Sequence, residues 1–323
     1  MTPLRNRLWA VGGGKGGVGK SVFTLLLATG LARRGVNVVL VDADLGGANL
    51  HTLLGMRTPE RGLADFMERR VESLDEVAMP TQLPNLRFIN GAEDILGIAN
   101  PKFSQKTRLL SHLDRLAADV ILLDLGAGTS TTTLDFFLYA AGKIAVVTPQ
   151  VTSIQNAYGF IKASVYRKLV RVFSRDPEAL EMIHATANSG HGTTIRSVAD
   201  LRAAIGAISV DNQLLFSRCL DELQMSLVVN MVRGPREREA ARVVSSVAEK
   251  YLGVAPDVLG YVDYDPELDR SINVMSAYLM GGSPSSARVG IYDITSKVLQ
   301  RLQQGVATAE EPVFEPEDDP TPA

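Results

Sequence analysis

The residues best equipped for chemistry are packed between Gly12 and Ser21, in GGGKGGVGKS. Two lysines and a hydroxyl set among glycines suit a polyanion. Where Gly14, Gly16, Gly17 and Gly19 remove Cβ atoms, backbone N–H groups can turn inward around phosphate oxygens. Lys20 can then reach the β- and γ-phosphates, and the Ser21 hydroxyl can ligate magnesium. The competing reading is a glycine-rich surface turn with two incidental lysines. It leaves unexplained why glycine, lysine and serine all stand in register.

Carboxylates belong beside a phosphate only where a cation or a water needs them. Asp42 and Asp44 follow the apolar run VNVVLV (36–41), and Asp124 closes VILLD (120–124). Such runs predict strands buried on both faces of a parallel sheet, and residues beyond the carboxyl ends of those strands line the ligand crevice. The rest of the frame follows the same logic. Leu8–Gly12 predicts the first strand and Gly19–Arg34 a helix whose positive end faces the anion, with Gly35 as its C-cap. Further strands are expected at 86–90, 143–148, 226–232 and 258–262, with helices at 103–117, 152–174, 236–252 and 289–302. The expected fold is α/β: a mostly parallel central sheet with helices on both faces, in three layers.

Lys15 adds a second message, since a phosphate loop of this kind does not require a lysine five residues before Lys20. KGGVGKS resembles the deviant Walker A loop of the MinD/ParA ATPases, a group that includes FlhG/FleN-like flagellar regulators. DLGAG…LDFF together with TPQVTSIQNAYGFIK is more similar to FlhG/FleN-like proteins than to plasmid ParA. The likeness spans 8–172 and 226–302.

The resemblance implies ATP and Mg2+ as cofactors, slow, partner-stimulated hydrolysis, and a homodimer in the ATP-bound state. Lys15 would cross the dimer interface to the other subunit's phosphates. Gly14 to Val22, with Val18 among them, would form the nucleotide loop. Asp44 would orient the attacking water, Asp42 would support the magnesium shell, and Asp124, as the Walker B acid, would hold magnesium through water. Gly126 and Gly128 would give a switch its mobility. Asn230 would read adenine through an amide that both donates and accepts, and backbone near Tyr264 would touch the base.

Composition sets outer bounds. The chain has 323 residues, 46% hydrophobic and 21% charged, ordinary for a globular protein. A single cysteine, Cys219, makes no internal disulfide and suits a reducing cytoplasm. With four scattered histidines it builds no metal cluster, and redox ATPases that need paired cysteines are excluded. Tyrosine-kinase relatives end in a tyrosine cluster that this chain lacks. No apolar run approaches a membrane span, and no room is left for a signal peptide before the first strand.

The net charge of −3 is unevenly placed. Residues 305–323 carry six acids and no base, a tail expected to be disordered. The ATPase domain should occupy 1–304, with a helical insertion near 176–223 where the chain departs from the family pattern. Acids at the end of the chain argue against direct membrane binding. The segment before the first strand is too short for the glutamine-containing activator motif of FlhG proteins. The basic stretch Arg167, Lys168, Arg171, Arg175 reads as the solvated face of an amphipathic helix, with DNA or an acidic partner as the sharper alternative. Function therefore reads as an ATP-dependent dimerisation switch that places or counts a cellular structure, with a protein activator or cargo adaptor. The alternatives are ParA-like positioning on nucleoid DNA and a nucleotide-binding regulator without turnover.

Overall fold

Strictly alternating side chains organise the middle of the molecule. In the computed structural model, which describes residues 7–57, 59–91, 101–188, 197–273 and 285–304, three strands are wholly buried: β1 (Leu8–Gly12), β2 (Val38–Ala43) and β5 (Val120–Leu125). Leu8, Ala10, Val39, Val41, Ile121 and Leu123 enter one core; Trp9, Val11, Val38, Leu40, Val120 and Leu122 enter the other. A period of two on a sheet covered on both sides requires this split. With β3 (Met79–Pro80), β4 (Leu86–Ile89), β6 (Gly142–Val147), β7 (Ser226–Val232) and β8 (Asp257–Asp263) they form an eight-stranded sheet of order β3-β4-β2-β5-β1-β6-β7-β8. Every pairing is parallel except the two-residue edge strand β3, whose Pro80 suits an edge. The α/β three-layer architecture expected from the sequence is the one observed.

One face is covered by α1 (Lys20–Ala32) and α12 (Ser286–Gln304), through Phe23, Leu27, Leu31, Ile294 and Val298. The other is covered by α4 (Phe103–Leu113), α5 (Thr131–Tyr139), α6 (Val151–Val172) and α10 (Glu239–Leu252). Smaller helices α2 (Leu50–Leu53), α3 (Leu63–Met67) and α11 (Pro266–Asn273) lie in the connections. The helices α7 (Pro177–Asn188), α8 (Val198–Ile208) and α9 (Val210–Asp221) fill the stretch between α6 and β7. They are not a loose appendage: Ala179, Ile183, Leu201, Ile205 and Phe216 join the same core as α6, and Phe216 meets Phe173 at 6.2 Å between ring centroids. Among the described residues no helix is long and apolar enough to cross a membrane.

Three details differ from the sequence expectation. The helix expected to reach Ala117 stops at Leu113, and just beyond it the Arg7 guanidinium donates to the carbonyls of Asp114, Leu116 (2.8 Å) and Ala118 (3.2 Å), groups that a helix end leaves without intrahelical donors. The basic end of α6 is no simple solvated face. Arg167 binds Asp135 at 2.8 Å, and Lys168 binds Glu222 at 3.3 Å, although Leu169 and Phe173 do turn inward as expected. The helix α5 was not among the helices expected; at its start the Ser130 hydroxyl accepts from the Thr133 N–H at 3.1 Å. The acidic tail 305–323, the loop 189–196 and the start of the helix expected from 194 lie outside the described residues.

Candidate functional site

The turn after β1 is held by its surroundings as well as by its glycines. Gly19, the N-cap of α1, has φ +83°, the left-handed region that a side chain rarely adopts. A Cβ there would lie 2.4 Å from Asn230 Nδ2, which donates to Val18 O at 2.9 Å. The end of β7 thus clamps the turn from the side. At Gly14 the constraint is packing: a Cβ would come 2.0 Å from Asn156 O in the α6 backbone. Gly14 is therefore required for the close approach of α6, a constraint separate from the phosphate-cradling role expected of it. At Gly16 and Gly17 no atom lies within 4 Å of a Cβ position, so the open part of the cradle is there.

Lys20 is buried at the start of α1, and its Nζ lies 3.4 Å from Lys15 O. Burial lowers its pKa, while Asp124 and Asp44 across the crevice pull partly the other way. Lys15 is exposed, with Nζ 3.4 Å from Thr152 Oγ1 in the first turn of α6. The neighbouring Val151 is 70% exposed, an apolar side chain left in water on the rim beside the loop.

The three acids divide into two environments. Asp42 and Asp124 stand side by side in the β2–β5 register, both buried. Desolvation pushes Asp42 up to about 6 and Asp124 up to about 7. Asp124 is bonded by the Ser21 hydroxyl and by Thr24 Oγ1 at 3.0 Å. A buried, hydroxyl-flanked carboxylate that is costly to ionise alone fits a divalent cation, which would supply the missing positive charge. Asp42 is occupied differently: its carboxylate accepts the N–H groups of Asn49 (2.9 Å), Leu50 (3.0 Å) and Asp44 (3.2 Å). It caps α2 from the strand end and shapes the loop that carries Asp44, a scaffolding job the sequence did not reveal.

Asp44 itself lies against the loop after β5. A Cβ on Gly126 would meet Asp44 Oδ1 at 2.8 Å. Gly128, at φ +93°, donates its N–H to Gly13 O at 3.2 Å. The two loops beyond β2 and β5 therefore touch each other and the phosphate loop. Val22, on the first turn of α1, follows the Ser21 that faces Asp124. Tyr264 follows directly on β8, its N–H donating to Val232 O at 2.8 Å and its ring under the Arg233 guanidinium at 4.5 Å. Thr24 was missed by sequence reasoning; the signal was its position four residues after Lys20, on the helix face turned to β5. Met231 was missed as well. It holds φ +60° and reaches the Gly19 position with Cε at 3.3 Å, which no local pattern announces.

Lys20, Ser21 and Thr24 thus stand opposite Asp124, with a backbone cradle and a second acid loop beside them. A ParA family model described as NUBPL iron-transfer P-loop NTPase matches residues 5–165. The antiactivator FleN of Pseudomonas aeruginosa is 27% identical over 90% of this chain and 85% of its own length. The flagellum site-determining protein YlxH of Helicobacter pylori is 28% identical over 76% of this chain and 90% of its own. In three dimensions, the septum site-determining protein MinD complexed with Mg-ADP from Pyrococcus horikoshii superposes with a TM-score of 0.62 over 94% of this chain and 99% of that one, at 17% identity. That similarity fixes the fold. This chain belongs to the MinD/ParA family of P-loop ATPases, among relatives of the FlhG/FleN kind.

Proposed function

We propose that this protein is an ATP hydrolase whose nucleotide state controls its own dimerisation, and that it regulates the number or placement of flagella. The observation that carries the hydrolytic part is the contact of Asp44 with Gly126 beside Lys20 and Asp124. An acid able to align water is thereby kept at the phosphate loop. Phosphoryl transfer asks for positioning and charge stabilisation more than for a strong base, and positioning is what Asp44 would supply. Ser21 and Asp124 are the residues that would hold magnesium, which when bound neutralises charge on the phosphates. Lys20 would neutralise the same phosphates from the loop side. Asn230 and Tyr264, at the carboxyl ends of β7 and β8, would flank the base.

Dimerisation is supported by the exposed Lys15 and by the apolar Val151 on the same rim. A second copy would cover Val151 and give Lys15 an anion. The flagellar theme rests on FleN and YlxH, relatives that the chain spans over most of their length. The nucleoid-DNA reading is weakened, since Arg167 and Lys168 are engaged with Asp135 and Glu222. A protein activator remains part of the proposal, as does a cytoplasmic setting in which the buried Cys219, pushed up to about 12, stays an inert thiol.

Single-turnover hydrolysis of ATP by the wild type and by Asp44→Ala tests the first part. A rate reduced at least tenfold with nucleotide affinity retained is the expected result; equal rates would remove Asp44 from the mechanism. The same variant loaded with Mg·ATP should sediment as a dimer. A monomer at every concentration would end the switch reading while leaving the nucleotide site in place.

A further inference from the structure

Away from the crevice, a carboxylate lies in the core between two cations. Asp135 of α5 is 1% exposed. Its Oδ2 accepts from Lys106 Nζ of α4 at 2.7 Å, and its Oδ1 from Arg167 Nε of α6 at 2.8 Å, with a second Arg167 N–H reaching Oδ2 at 3.2 Å. Both cations are also largely withdrawn from water, with side chains 10% and 17% exposed. A buried triad of this kind is a poor stabiliser, because apolar side chains of similar volume usually do as well or better. What it adds is direction: each bond fixes an angle and a register that oily contacts leave free.

The register in question belongs to the site. The helix α5 begins at Thr131, directly after the loop in which Gly126 touches Asp44 and Gly128 bonds Gly13. Asp135 lies just over one turn into that helix, so it sets where the loop's far end stands. From the same carboxylate, Arg167 leads along α6 to Asn156, the residue against which Gly14 is packed. One buried group is therefore tied to the phosphate loop by two routes, through α5 to Gly13 and through α6 to Gly14.

We propose that Asp135 is a positioning residue for ATP hydrolysis: gripped by Lys106 and Arg167, it holds α5 and the Gly126–Thr129 loop in working register and passes that loop's nucleotide-dependent movement to α4 and α6. The proposal rests on the hydrolytic reading above but concerns residues that touch no nucleotide. Lys168, next to Arg167, binds Glu222 at the end of the α7–α9 segment, so movement of α6 would also reach those helices.

The test uses the full chain and compares the wild type with the apolar triple variant Lys106→Met/Asp135→Leu/Arg167→Met. Thermal midpoint, affinity for a fluorescent ATP analogue, kcat and KM are measured, together with hydrogen exchange in the ADP-bound and ATP-analogue-bound forms. The expected result is a thermal midpoint and nucleotide affinity close to wild type, with kcat down at least tenfold and KM unchanged. The ADP-versus-ATP difference in exchange should vanish from 103–113 and 151–172. A triple variant with wild-type kcat and wild-type exchange differences would overturn the proposal. If that variant does not fold, Arg167→Lys keeps the charge but loses the two-point grip; kcat down at least threefold at constant KM is expected, and an unchanged kcat overturns the idea. A wild type that binds nucleotide without turning it over would sink the hydrolytic reading and the kcat arm with it, and the exchange difference would then decide whether the triad carries the loop's movement to α4 and α6.

Discussion

Replacing Gly14 by alanine isolates the packing of the phosphate loop from its chemistry. The added methyl would sit 2.0 Å from Asn156 O and 2.6 Å from Asn156 C, where distances below 3.0 Å are essentially never seen. Its neighbours are helix backbone in the middle of α6, which cannot rotate away as a side-chain tip can. Either the loop or the helix must retreat by about 1 Å, and overpacking of that kind costs roughly 1–3 kcal/mol. For a chain of this size that corresponds to a fall of roughly 1.5–4.5 °C in the thermal midpoint. A displacement of about 1 Å at the neighbouring Lys15 and the cradle should cost on the order of 100-fold in turnover. The matched control is Gly16→Ala, where the new methyl meets nothing within 4 Å. That variant should keep its thermal midpoint, within about 0.5 kcal/mol of the wild type, and lose only nucleotide affinity as the methyl enters the phosphate space. The assays are thermal melting without nucleotide and binding of a fluorescent ATP analogue. A Gly14→Ala protein with wild-type melting would refute the contact with α6; equal destabilisation at both positions would refute the distinction between them.

Three further outcomes follow from the same geometry. Asp42 and Asp124 have folded pKa values raised to about 6 and about 7 from an ordinary 3.8, so their protonated forms favour the folded state. That contribution is complete below about pH 4 and is lost as pH rises through 6 to 7; nucleotide-free protein should therefore become easier to unfold in urea between pH 5 and 8, with Mg·ADP flattening the slope, and a slope of the opposite sign would refute the burial argument. Thr24→Val removes the 3.0 Å bond to Asp124 while keeping the side chain's shape, so magnesium-dependent nucleotide affinity should weaken by roughly three- to tenfold, with magnesium-independent binding unaffected. Phe216→Ala should destabilise the whole chain by about 3–5 kcal/mol in a single melting transition, because α9 shares the core of α6; a separate low-temperature transition would show the α7–α9 segment to be an independent unit.

The sequence by itself determined the phosphate loop, the buried strands and the acids at their ends. These are local facts: a glycine turn between a strand and a helix, and a run of apolar residues ending in Asp, have one economical arrangement when the sheet is parallel. Helix ends and partners were another matter. The helix α4 stops four residues early, and the carbonyls just beyond it are bonded by Arg7, more than a hundred residues away in the chain. Gly14 packs against α6 and Asn230 clamps Val18 O, contacts between elements far apart in the chain, while Asp42 caps α2 only a few residues further on.

The basic run at the end of α6 shows the limit most clearly. Its spacing fitted a wetted helix face, yet Arg167 turns to a carboxylate of α5 that no pattern connects to it. Local sequence can specify which residues bind phosphate, because that preference is written in single side chains and backbone torsions. Which charge meets which across the core depends on how helices pack over the sheet, and only the folded chain decides that.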